Sequence, residues 1–190
     1  MVETMMAAYQ TQLTAHLRAL NPREMEGFIQ ILLGAYRRDS QVFIVGNGGS
    51  AATANHFVCD FGKNAVKGDK RRFRVLSLCD HLEKITALGN DIAFEEIFRQ
   101  QLINLMRPGD VLIAVSASGN SPNVARACEY FRERGGEIVA LLGFDGGRVK
   151  GFADVAMVVE SDSYERIEDL HLIILHMVVC YFKEHQELLG

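Results

Sequence analysis

The sequence predicts an α/β fold in which a five-stranded parallel sheet is covered on both faces by helices. Three observations lead there. From Gln41 onward, short β-branched apolar runs recur: QVFIV, RFRVLSL, DVLIAVS, EIVALL and DVAMVV. They are too apolar to be half-solvated, as strands buried on both faces are. Helical stretches separate them, so successive strands are joined by crossovers and run parallel. The chain has 190 residues, 48% hydrophobic and 23% charged, enough for one large core and short for two. The expected arrangement is flavodoxin-like: three layers, α/β/α, with two extra helices at the N-terminus.

Those two helices are expected over 3–20 and 22–39. The pair Asn21-Pro22 matches an N-cap followed by proline in the first turn. Residues 1–40 thus stand apart from 41–190 as helices suited to oligomerisation, although the whole chain forms a single structural unit. A last helix over 165–188 carries Leu170, Ile173, Ile174, Met177, Val178 and Tyr181 on one face. That face suits either a cover for the sheet or a contact between subunits.

Charge and cysteine usage narrow the function. The net charge is −4 with Lys and Arg scattered, so no basic stripe exists for a nucleic-acid backbone. Cys59, Cys79, Cys128 and Cys180 form no C-x-x-C pair, which fits neither a disulfide framework nor a zinc knot and suits a reducing cytoplasm. The longest apolar stretch, 170–182, is interrupted by His176 and too short to span a bilayer.

Parallel sheets bind ligands beyond the carboxyl ends of their strands, so the loops there come first. After the first strand come Gly46-Asn47-Gly48-Gly49-Ser50, with Ser50 a natural N-cap for the helix that follows. Glycines admit a ligand close to the backbone, and a helix N-terminus offers free N–H groups to an anion. The same residues would equally suit a tight turn with no ligand. After the third strand come Ser116-Ala117-Ser118-Gly119-Asn120-Ser121, then Pro122 in the first turn of a helix. Three hydroxyls, a glycine and a helix N-terminus in six residues make a phosphate cradle. The loop lacks the Gly-Lys-Ser/Thr of a nucleotide P-loop, so a sugar phosphate fits it better than a nucleoside triphosphate. A serine-rich cap remains the simpler alternative.

Together these loops, His56-Phe57, the Gly89-Asn90-Asp91 turn, Asp145-Gly146-Gly147, Glu165-Arg166-Ile167 and His176 resemble the sugar isomerase (SIS) domain. Within it they are most similar to the sedoheptulose 7-phosphate (phosphoheptose) isomerases. The resemblance runs from about residue 42 to the last helix. It implies that Ser116, Ser118, Asn120 and Ser121 hold the substrate phosphate, and that Asn47, Gly48, Gly49, Ser50, Asn90, Asp91 and Glu168 contact the sugar chain. It also implies a Zn2+ ion held by His56, Asp60, Glu168 and His176, with Asp60 as base and His176 as acid in an aldose–ketose isomerisation, and a homotetramer with shared active sites.

Spacing supports part of this set. His56 and Asp60 are i, i+4 neighbours on one helical face. Glu168 and His176 are eight residues apart, about 12 Å along a continuous helix, too far to share one ion with ease. Taken singly, His56 and His176 also suit packing roles, and Asp60 a solvated carboxylate. Three residues depart from the family pattern: Asp60 stands in place of glutamate, Glu168 in place of glutamine and Ala117 in place of threonine. The alternatives are a non-catalytic SIS protein, either a sugar-phosphate-binding regulator or a replication-initiator-associating protein, and an isomerase for a hexulose or arabinose phosphate.

Overall fold

The computed structural model describes residues 1–190. Helices α1 (Val2–Ala19) and α2 (Pro22–Arg38) precede a regular alternation. It runs β1 (Gln41–Val45), α3 (Gly49–Asn64), β2 (Arg74–Ser77), α4 (Leu82–Asp91), α5 (Ile97–Leu105), β3 (Val111–Ser116), α6 (Pro122–Glu133), β4 (Glu137–Gly143), β5 (Val155–Val159) and α7 (Tyr164–Glu184). All neighbouring strands are parallel, in the order β2-β1-β3-β4-β5. This is the flavodoxin-like order, in which the chain reverses direction across the sheet between β1 and β3.

Alternation along each strand builds two cores. In β1, Val42 and Ile44 join a cluster of 30 buried residues with α2, α3 and α7, whereas Phe43 and Val45 face a cluster of 17 with α5 and α6. Phe57, Phe61, Phe73 and Phe182 form the aromatic centre of the larger core, with Phe57 and Phe61 stacked at 4.7 Å between centroids. This packing fixes α3 beside α7, the arrangement on which the candidate metal ligands depend.

The two N-terminal helices differ. Asn21 caps α2 by accepting from the Arg23 N–H, and Phe28, Ile29, Leu32, Leu33, Ala35 and Tyr36 bury against the sheet. Helix α1 buries no residue and packs on α7, where the Tyr9 hydroxyl donates to Asp169. The inner face of α7 (Ile167, Leu170, Ile174, Leu175, Val178 and Phe182) covers the sheet, while Met177 stays exposed. No helix is long and apolar enough to cross a membrane.

Two local expectations are corrected. Ser50 does not cap α3: the helix begins at Gly49 with Gly48 as N-cap, at φ +54°, and no side chain caps it. The glycine run turns the chain two residues sooner than a cap at Ser50 requires, because Gly48 adopts a conformation closed to most residues. Gly89-Asn90-Asp91 is not a turn but the last part of α4.

A buried histidine ties α7 to the sheet. The His171 Nε2–H donates to the Leu142 carbonyl at 3.0 Å, and Nδ1 has no partner. Burial, only partly offset by that bond, pushes its pKa down to about 4. The unfolded chain takes up this proton near 6.5 and the folded chain only near 4, so stability is retained above the window and lost as pH falls through it. The loss should reach about 3 kcal/mol. Urea unfolding across this window should show that His171→Gln, which can still donate to Leu142, has the shallower dependence; equal slopes would mean His171 is not the group responsible.

Candidate active site

The reversal between β1 and β3 places two loops side by side at the carboxyl edge of the sheet. A crevice of about 450 Å³ opens there, lined by Asn47, Ala93, Phe94, Glu95, Ser121, Pro122 and Asn123. Its outer wall, Phe94–Glu96, is anchored by Arg126, which pairs with Glu95 at 2.5 Å and Glu96 at 2.9 Å. Burial works against the Glu96 charge, but hydrogen bonds from Arg99 and Gln100 outweigh it and hold the carboxyl below its usual range. A larger recess, about 680 Å³, lies at the outer ends of β4 and β5 beside Arg166, away from the reversal.

The serine loop forms the floor on the β3 side. Ser116 Oγ accepts from the Gly119 N–H at 3.2 Å, and Ser118 Oγ from the Asn120 N–H at 3.2 Å. Ser121 is the N-cap residue of α6 and its side chain makes no capping bond, while of the first turn's own donors Pro122 has none and the Val124 N–H is taken by Asn123 Oδ1. Gly119 sits at φ +63°, and a Cβ there would lie 2.0 Å from the Gly146 carbonyl oxygen. The Asp145-Gly146-Gly147 segment therefore backs the serine loop, with the Val149 N–H donating to Gly119 O and the Arg148 N–H to Asn120 Oδ1.

On the β1 side, Asn47 is half-buried and Ser50 buried. Asn47 and Asn123 form a reciprocal amide pair across the crevice, at 2.8 and 2.9 Å. Gly49 is in close contact with Glu168: a Cβ on it would lie 2.3 Å from the Glu168 carboxylate. Asn90 and Asp91 do not line the crevice; they are exposed and bond one another at 2.9 Å.

Two turns into α3, facing α7, lies a second group. His56 Nε2 and His176 Nε2 are 3.0 Å apart, and Asp60 Oδ2 is 3.3 Å from the first and 3.6 Å from the second. These three could hold a metal ion, their ligand atoms lying within 4.8 Å of one another. At zinc–ligand bonds of 2.0–2.1 Å, the edge of a coordination tetrahedron is about 3.3 Å, so the observed separations are compatible with a shared ion. Two imidazole nitrogens and a carboxylate are also a donor set that zinc accepts, and three protein ligands leave a fourth position for substrate. Glu168, on the same continuous helix as His176 but two turns earlier, does not join them; its carboxylate lies at Gly49 instead.

The SIS domain family profile matches residues 7–143. The chain belongs to the SIS domain family. It is 36% identical over 188 residues to a phosphoheptose isomerase of Geobacter sp. (strain M21), covering 96% of this chain and 97% of that one. It is 40% identical over 147 residues to one of Pelobacter propionicus, covering 77% of each chain. Among solved structures, phosphoheptose isomerase from Neisseria gonorrhoeae superposes with a TM-score of 0.88 at 27% identity, covering 97% of this chain and 100% of that one.

Asn123, Phe94 and the Glu96–Arg126 anchor escaped the sequence reading. Asn123 follows Pro122 and reads there as an ordinary first-turn residue; its only signal is that an amide at that position lies beside a phosphate-type loop.

The three-ligand cluster predicts binding of one cobalt(II) ion per chain, measured by calorimetry and visible absorption. His176→Ala should weaken it by more than the roughly 10–100-fold typical of losing an outer-shell partner. Unchanged affinity would place the ion elsewhere.

Proposed function

We propose that the chain interconverts sedoheptulose 7-phosphate and D-glycero-D-manno-heptose 7-phosphate as a zinc-dependent phosphoheptose isomerase of the cytoplasm. The observation that carries this reading is the convergence of His56 and Asp60 on α3 with His176 on α7, 120 residues after His56 in sequence. A protein that only gripped a sugar phosphate would need the serine loop but not this cluster. The names of the relatives supply the substrate.

In this reading Ser116, Ser118, Asn120 and Ser121 hold the phosphate at the N-terminus of α6, where hydroxyls and the helix dipole favour its charge. Asn47, Gly48, Gly49 and Ser50 contact the sugar chain, joined by Asn90 and Asp91 once substrate is bound. Glu168, lying at Gly49, is grouped with these substrate contacts rather than with the ion. Asp60 turns Oδ2 to the histidines and keeps Oδ1 for proton transfer. It takes the proton from C1 of the ketose and returns it to C2, while His176, with Nε2 turned to the cluster, carries a proton from O1 to O2 at Nδ1, so the enediol forms and collapses without net change. A zinc ion held by His56, Asp60 and His176 would supply electrophilic stabilisation of the enediolate oxygens.

His56 lies about 9 Å along α3 from Ser50, so a substrate touching both regions must be extended. A homotetramer with active sites shared between copies would shorten that span. Helix α1 suits such an assembly: Met1, Val2, Met5 and Met6 are each more than half exposed, an apolar row with no cover within the chain.

Metal-loaded protein incubated with sedoheptulose 7-phosphate should yield the aldoheptose phosphate, and chelation should stop it. Ser118→Ala should weaken substrate binding by about 10- to 100-fold, the loss of one hydrogen bond to a charged group. His176→Ala should spare binding and abolish turnover. Absence of turnover in the metal-loaded protein, with substrate binding intact, would favour the non-catalytic SIS reading.

A further inference from the structure

We infer that Asn123 is a positioning residue that fixes which way the Asn47 amide faces the substrate, an inference that rests on the proposed contact between Asn47 and the sugar chain. Asn123 is 1% exposed and sits in the first turn of α6, immediately after the phosphate loop. Although it lines the crevice, its amide is turned to the Val124 N–H and to Asn47, so it acts on a ligand through Asn47.

Hydrogen bonds settle the orientation of the pair. Asn123 Oδ1 accepts from the Val124 N–H at 2.9 Å, so the atom at that place is an acceptor and the amide cannot be turned over. Asn123 Oδ1 also accepts from Asn47 Nδ2 at 2.8 Å, and Asn123 Nδ2 donates to Asn47 Oδ1 at 2.9 Å. A backbone N–H of α6 thus dictates, through one buried amide, the orientation of a half-buried amide on the opposite loop. Asn47 keeps one N–H and one oxygen lone pair, and these are the groups it can present to hydroxyls in the crevice. Reversing the pair would set nitrogen against the Val124 N–H and leave both donors buried without an acceptor, which is costly.

The isosteric change Asn123→Asp is a sharp test. The carboxylate still accepts from Val124 and Asn47 Nδ2, so helix and loop keep their bonds, but its second oxygen now opposes Asn47 Oδ1 and drives that amide out of place. Affinity for sedoheptulose 7-phosphate, measured by calorimetry, should fall by about 10- to 100-fold. Affinity for inorganic phosphate, which needs only the serine loop and feels only the added charge in the first turn of α6, should fall by clearly less, and the uncharged Asn123→Ser should leave it within about twofold. Asn47→Ala should produce a similar selective loss, and adding Asn123→Asp to it should produce no further loss, because Asn123 acts only through Asn47. If the aspartate variant does not fold, Asn123→Ser, whose hydroxyl can still accept from Val124, takes its place in the same cycle.

Equal losses for sugar phosphate and inorganic phosphate, or losses that add in the double variant, overturn the positioning role and make Asn123 a structural part of α6. Binding without turnover in the wild type removes the isomerase reading but leaves this inference standing on the affinity ratio. Wild-type protein that binds sedoheptulose 7-phosphate no more tightly than inorganic phosphate overturns both.

Discussion

The reversal of chain direction between β1 and β3 is the constraint on which the site depends. In a parallel sheet the loops after neighbouring strands normally lead to helices on the same face, and the ends close over one another. Here β1 connects toward one edge through α3 and β3 toward the other through α6, so their loops part and leave a crevice. Everything that grips a ligand on this chain descends from that parting: the glycine loop, the serine loop, and the two uncapped helix N-termini that face it.

The candidate metal cluster answers to a different force. His56 and His176 meet because α3 and α7 are pressed together over the phenylalanine core, with Phe61 and Phe182 edge to face at 5.6 Å beneath them. The charged and polar ligands ride on apolar packing that they do not themselves create. Site and core are therefore coupled: a shift in the register of α3 against α7 by one turn would leave the core filled but part the histidines.

Local periodicity carried much of this in the sequence. Five apolar runs separated by helices give the sheet, and the i, i+4 spacing of His56 and Asp60 gives one side of the cluster without any structure. The arrival of His176 beside them rests on tertiary packing that no spacing records; its place came from resemblance, as did that of Glu168, which stands where the family has glutamine and which the structure sets beside Gly49. Asn90 and Asp91 read as a turn because Gly and Asn commonly end helices, yet here α4 runs through them. Asn123 was illegible for the opposite reason. Its partner lies 76 residues away, and a reciprocal amide pair has no signature in either segment.

The contact between Gly119 and Gly146 carries a consequence for how this protein can change. Two backbones touch where neither can carry a side chain, with Gly147 equally confined against Ser118 O. The segment after β4 meets no expected substrate group, yet it is as closed to substitution as the loop that grips phosphate. Variation in specificity must then come from the walls of the crevice, where Phe94 stands exposed. The floor is a fixed instrument shared by whatever sugar the walls admit.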